Sequence, residues 1–505
     1  MQGNGTLKVK RTASAGLRRK VKRVRAERRR RKLEKRTSAW ALSLEMTGGA
    51  SGLVGAAGVP LLRLLADRSG LRGRLSKALV KPGFLPGHDR GQVLVDVAVG
   101  LALGAVSLTG TMREIEQAGA VLGTTASAVT AWRTLDNLDD AALEKIARAR
   151  AAHRRLIWQR LAARPQGFPW IEVAGQLWDG WVVVDVDASL VECHSDKEGA
   201  AATYKKHLFG LHPLIATIAN TGEIPVSYLR KGNAGSNTVA DHLKVLTEAV
   251  EHIPPRHRKK IIFRVDGAGA SKDLLAWIKA TAAEHGYDWR YSVGFDVTEP
   301  VRIAIAKVPK NAWAAALTPD GELRPGAQVA EITKLLDLAD GWPDGMRLLA
   351  RTEPLHPRHH KQASAIEKQR GQRFQVVAHD LPGHHYPRLD AFTRNHAGVE
   401  SAIKDAKNLG LRRFPFFKMA ANQAWCVAVM LAAELLAWLR LLALDHHATL
   451  SKASPATLHD TLLNVPARLA RRARKRLIRL PDDHPHATNL ILAWTKIRAL
   501  ATQPP

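Results

Sequence analysis

The sequence predicts an α/β fold: a mixed five-stranded sheet with a helical N-terminal domain before it, a mostly β insertion within it and a helical C-terminal region after it. Three observations carry that prediction. Short β-branched runs alternate with helical stretches between residues 171 and 295. Before residue 170, apolar residues recur instead at three- and four-residue intervals, the helical period. The chain's 505 residues suffice for two to four such units with a large core.

Charge comes next. The chain has 76 Lys and Arg against 46 Asp and Glu, a formal net charge of +30. Residues 8–36 hold 16 of those cations against two Glu, yet the remainder keeps an excess of about 16. The folded body is therefore basic too, which points to a polyanion, nucleic acid before anionic membrane. Two cysteines, Cys193 and Cys426, argue against a disulfide scaffold or a cysteine-rich zinc site and fit a reducing cytoplasm. No signal-peptide pattern follows the basic start. The most apolar run, Trp425 to Leu444, contains Glu434 and Arg440, which argues against a membrane span.

Residues 1–38 read as a basic, disordered tail, because dense like charge repels itself. Residues 39–170 read as a helical DNA-binding region. Leu61, Leu62, Leu64 and Leu65 share one face there, as do Val93, Leu94, Val97, Ala98 and Leu101. Residues 124–135 read as a short helix pair. At Ile171 the period changes. Strands are expected at Trp181–Val186, Leu214–Ala219, Ile224–Leu229, Ile261–Val265 and Trp289–Phe295. A helix from Thr238, capped by Ser236 or Asn237, and another from Lys272, capped by Ser271, separate the last three. Residues 171–295 thus form the first part of a core. Residues 296–387 read as the β insertion, 388–445 as the last part of the core, and 446–505 as a helical basic region.

Strand, strand, strand, helix, strand, helix, strand is the element order of the RNase H-like nuclease and integrase fold, in which the first and fourth strands lie side by side. The run Val182-Val183-Val184-Asp185-Val186-Asp187 would then end next to Ile261–Val265, which ends on Asp266. Burying a carboxylate in an apolar sheet is costly unless a cation meets it. Asp187 and Asp266, 79 positions apart, would become neighbours, with Asp185 competing for the role of Asp187. A third acid, Glu400, lies on a predicted helix that also carries Lys404 and Lys407 at i+4 and i+7, on one face. Three carboxylates suit two divalent cations, which serve both ends of an in-line phosphodiester displacement. The lysines suit neighbouring phosphates.

Several strings then carry a resemblance. They are Val184-Asp185-Val186-Asp187-Ala188-Ser189, His194-Ser195-Asp196-Lys197-Glu198-Gly199-Ala200 and Phe209-Gly210-Leu211-His212-Pro213-Leu214. Arg230-Lys231-Gly232-Asn233-Ala234-Gly235-Ser236-Asn237-Thr238 and Asn422-Gln423-Ala424-Trp425-Cys426 join them, as do His88-Asp89-Arg90-Gly91 and Trp132-Arg133-Thr134-Leu135. Together they resemble bacterial insertion-sequence transposases with an Asp-Asp-Glu triad, the insertion sequence 1380 family in particular, over residues 45 to 500.

The resemblance implies cut-and-paste movement of an insertion sequence. Mg²⁺ would be the cofactor, as two ions that Mn²⁺ can replace. Double-stranded DNA would be the partner, as terminal inverted repeats and target, held by a homodimer on paired ends in the cytoplasm, at the nucleoid. It implies Asp187, Asp266 and Glu400 as the triad. Related enzymes carry a Tyr, Arg, Glu, Lys signature; here Thr393 and His396 stand at the first two positions, while Glu400 and Lys407 keep their spacing. His396 would touch phosphate only when protonated. An aromatic from the β insertion, Trp313 or Trp342, would stack on a flipped base. The altered signature motivates an alternative, a catalytically impaired transposase-derived DNA-binding protein. A third reading is a nuclease that cuts without joining. The histidines at 356, 359, 360, 379, 384 and 385 match no compact zinc spacing.

Overall fold

In a computed structural model of the chain, residues 20, 22–29, 31 and 51–500 are described, apart from 205–207, 236–237, 267–270, 339–340, 362 and 474. Two compact units, Met1–Gly52 and Leu53–Pro505, are treated separately. In the first, residues 20, 22–29 and 31 are helical and exposed, with Arg23 and Glu27 paired one turn apart at 3.9 Å. These residues are helical where a disordered basic tail was expected; Arg, Lys and Ala all have high helix propensity.

The second unit begins with helices α1 (Val59–Arg68), α2 (Leu71–Ala78), α3 (Arg90–Ala102), α4 (Leu108–Gln117), α5 (Ala128–Asp136) and α6 (Asp140–Ala162). Asp89, Ser107, Ser127 and Asp139 cap α3 to α6 by accepting backbone N–H groups. Residues 124–135 are not a helix pair. Ser127 starts one helix, α5, which contains Trp132, and 124–127 lead into it.

A nine-stranded mixed sheet follows. Its strands are β1 (Val182–Ala188), β2 (Leu214–Ile218), β3 (Glu223–Tyr228), β4 (Lys260–Val265), β5 (Asp288–Phe295), β6 (Ala314–Leu317), β7 (Leu323–Glu331), β8 (Arg347–Pro354) and β9 (Gln372–His379). In space they run β6-β7-β8-β9-β5-β4-β1-β2-β3. β1, β4 and β5 are parallel, and all other neighbours are antiparallel. The expected adjacency of the first and fourth strands is observed. The strands of 296–387 continue the same sheet beyond β5. Helix α7 (Val239–His252) lies between β3 and β4 in the chain, and α8 (Lys272–His285) makes the crossover between the parallel neighbours β4 and β5. Thr238 stands at the N-cap of α7, and Ser236 and Asn237 lie outside the described residues.

β1 is central and buried on both faces. Val182, Val184 and Val186 enter the main core, while Val183 enters a second core with Trp178, Ile262 and Phe392. The chain continues through α9 (Glu299–Lys307), α10 (Tyr386–Arg394), α11 (Ala397–Ala406) and α12 (Met419–Ala443). α12 is long and apolar enough to cross a membrane, but it is mostly buried inside the protein, between the N-terminal helices and β3. The basic run Arg468–Arg479 is not helical. It forms a hairpin, β10 (Ala467–Arg472) and β11 (Lys475–Arg479), and α13 (Ala487–Ala499) follows. Pairing of β10 with Leu53–Val54 overrides the helix propensity of its Arg and Ala residues.

Candidate active site

Strand alternation puts Val183, Asp185 and Asp187 on one face of β1, and Ile262 and Arg264 on the same side of β4. The register pairs Val183 with Ile262 and Asp185 with Arg264. One further step sets Asp266, the first residue after β4, opposite Asp187, on neighbouring strands roughly 5 Å apart.

Asp185 and Asp187 then part ways. Asp185 is buried and clasped by Arg264, whose Nε and Nη2 donate to its two oxygens at 2.6 and 2.8 Å. His396 Nδ1 lies 3.1 Å from the same carboxylate. Burial alone would raise the Asp185 carboxyl, but Arg264 and His396 outweigh it and hold it below the ordinary range. Arg264 also donates to the Phe392 carbonyl at 2.7 Å and lies over the Phe392 ring. It thereby ties the end of α10 to the sheet, just before the turn into α11. Asp185 is a structural acid.

Asp187 has no such cation among the described residues. Its Oδ1 accepts the Ala188 N–H at 2.7 Å. Burial pushes its carboxyl up to about 6, and the charges of Asp266 and Glu400 push in the same direction against the Ala188 N–H and His396. The three candidate acids therefore share one electrostatic neighbourhood although they come from β1, the end of β4 and α11. Asp266 and Glu400 are exposed. Among the described residues, no three His, Cys, Asp or Glu side chains, Asp187, Asp266 and Glu400 included, stand close enough together to hold a metal ion. What the three acids offer is hard oxygen donors in one electrostatic neighbourhood, and that donor chemistry fits a divalent cation.

The other expected residues are placed as follows. His396 is half-buried at the N-cap of α11, its Nδ1 turned to Asp185 rather than outward, its Nε2 buried and without a partner among the described residues. Thr393 Oγ1 lies 2.8 Å from Ser292 Oγ. Lys404 is exposed one turn beyond Glu400. Lys407 donates to the Leu190 carbonyl at 3.1 Å, so it ties α11 to the end of β1. It falls in a π turn, Lys407–Leu411, rather than in regular helix. Trp313 and Trp342 are half-buried against the main core, and Trp342 meets the Phe295 ring at 5.2 Å with Lys272 over its face.

Three residues were not singled out from the sequence. Arg264 is one; a charge inside Ile-Ile-Phe-Arg-Val, opposite another inside Val-Val-Val-Asp-Val, was the signal. His212 and His242 both feel the Asp266 charge, although burial lowers both rings. The loop Arg230–Ala234 passes beside His212, whose Nδ1 lies 3.2 Å from the Ala234 carbonyl, and it packs closely: a Cβ on Gly232 would stand 2.0 Å from the Gly210 carbonyl. A groove of about 1070 Å³ lies elsewhere, between α6, β3 and α7, and none of the three acids lines it.

The profile of the family described as Transposase DDE domain group 1 matches residues 35–502. The chain belongs to this DDE transposase family. A solved structure similar to this family member is the cryo-EM structure of piggyBac transposase synaptic complex with hairpin DNA. The two are 9% identical with a TM-score of 0.36, over 86% of this chain and 89% of that one. No curated protein matches the chain. Membership agrees with the resemblance at the level of DDE transposases.

Proposed function

We propose that this chain is the DNA transposase of an insertion sequence, of the insertion sequence 1380 type, with an RNase H-like catalytic core. It would cleave DNA at terminal inverted repeats and join the ends to target DNA with divalent cations. The observation that carries this reading is the Asp187 carboxyl, raised to about 6 in a basic protein by burial and by two acids from distant segments. Asp187, Asp266 and Glu400 would hold the cations, Mg²⁺ or Mn²⁺, which supply charge neutralisation at the attacking and leaving oxygens. The chain's own part is to hold the acids in register. In this reading β1 and β4 would present two side by side, and α11 would bring the third. Lys404, exposed beside Glu400, suits a flanking phosphate.

The test is strand nicking and joining on an inverted-repeat duplex with Mg²⁺ or Mn²⁺. Asp187→Ala, Asp266→Ala and Glu400→Ala should each lower cleavage by at least 1,000-fold, with duplex binding retained. Full cleavage by any one removes that residue from the triad. A second reading, a DNA-binding descendant without catalysis, is favoured by His396 facing inward to Asp185 rather than outward. Under it, the wild-type chain binds the repeats and nicks nothing.

A further inference from the structure

The hairpin β10–β11 joins a three-stranded sheet through the pairing of Leu53–Val54 with β10. Its base is anchored: Leu469, Ile478 and Leu480 pack on a small cluster of Val54, Ala57 and Ala467. Beyond that base, among the described residues, the only apolar side chains of the ribbon are half-buried Ala470 and Leu477 and exposed Ala473. Arg468, Arg471, Arg472, Lys475, Arg476 and Arg479 are all exposed. The register sets them directly against one another, Arg468 opposite Arg479, Arg471 opposite Arg476 and Arg472 opposite Lys475. Like charges directly opposite in a ladder destabilise it. None of the six forms an ion pair among the described residues. The turn adds to the disfavour, because Ala473 has φ +51°, a left-handed conformation that a Cβ resists.

This ribbon is therefore poor as a hairpin and unusual as a surface. Guarding a sheet edge against aggregation takes one or two charges and favours Lys. Here five of the six cations on the two strands are Arg, the side chain whose planar fork matches a phosphate. A six-residue strand spans roughly 20 Å, and a two-stranded ribbon fits the major groove of B-form DNA.

We propose that β10–β11 is a binding surface for the phosphate backbone of duplex DNA, read without regard to sequence. The phosphates relieve the cation–cation pairs that the ladder imposes. This rests on the DNA transposase reading and extends it to an element remote in sequence from the three acids.

The test uses the full-length chain with four cations of the distal half replaced: Arg471→Thr, Arg472→Thr, Lys475→Thr and Arg476→Thr. Binding to a random-sequence duplex is measured across a range of NaCl concentrations. The slope of log K against log salt should become shallower by roughly 3 to 4. Affinity near 0.1 M salt should fall by at least 100-fold. The melting temperature should hold or rise, because repulsive pairs are gone; a scaffolding ribbon would melt lower instead. Arg476→Glu alone, which places opposite charges across the ladder, should also weaken binding and raise the melting temperature. Unchanged affinity and slope in both variants overturn the proposal. So does loss of binding to phosphatidylglycerol vesicles with duplex binding intact, which would make the surface a membrane contact. A wild-type chain that binds no duplex at all refutes the transposase reading instead.

Discussion

At the scale of single residues, Asp185 and Asp187 stand two positions apart on one strand face and are driven in opposite directions. Arg264 neutralises the first, while the second is left with two further acids for company. The Asp187 carboxyl is raised to about 6 in the fold against an ordinary 3.8. The folded state thus keeps a proton that the unfolded chain has released. Stability is lost as pH rises from about 4 to about 6 and stays lower above that. Asp187→Asn should therefore raise the melting temperature at pH 7.5, by an amount equivalent to about 1–3 kcal/mol, and change little at pH 3.5. Thermal melts at the two pH values check this; no gain at pH 7.5 means the charge is already compensated. His396 tests the neighbouring contact. His396→Ala should slow nicking about tenfold at saturating DNA, about 1.4 kcal/mol in the barrier. His396→Asn, whose amide N–H can reach Asp185, should recover most of the rate. If both variants nick at the wild-type rate, the contact does not position α11.

At the scale of elements, α6 is locked to the sheet edge and to α12 by a buried ionic cluster. Arg150 and Arg154 both donate to Glu434 of α12, and Arg154 donates to Glu223 of β3 at 2.9 Å. The indole N–H groups of Trp158 and Trp438 also donate to Glu223, at 2.7 and 2.8 Å. Breaking such a cluster from one side leaves buried charge uncompensated. Glu434→Ala should cost about 3–5 kcal/mol in denaturant unfolding; a loss below about 1 kcal/mol would show the cluster is not holding α6. Element type was legible where periodicity was strong, as in β1 and α8. It failed at β10–β11, where Arg and Ala carry no strand signal and only pairing with Leu53–Val54 makes a sheet. The split of residues 124–135 failed too: Ser127 falls inside the run Thr124–Val129, and only its hydroxyl, accepting the Thr130 N–H, marks it as the start of a helix.

At the scale of the whole molecule, one sheet runs from β6 to β3 and the candidate site lies on one side of its centre, at the C-terminal ends of β1 and β4. The sequence by itself determined the alternation of strands and helices, the excess of positive charge and the positions of three isolated acids, because these are properties of composition and local period. Which aspartate of β1 is sequestered was open to it, since Asp185 and Asp187 share a face and differ only in what lies across the next strand. The tertiary structure decided that through register. Arg264 sits beside Asp185, and no cation takes the equivalent place at Asp187 among the described residues. It also decided that His396 turns inward and that Lys407 holds the Leu190 carbonyl, because both depend on how α11 meets β1. Pairing across 79 positions is invisible to any local pattern: burial makes a charge affordable only where its partner arrives from elsewhere in the chain.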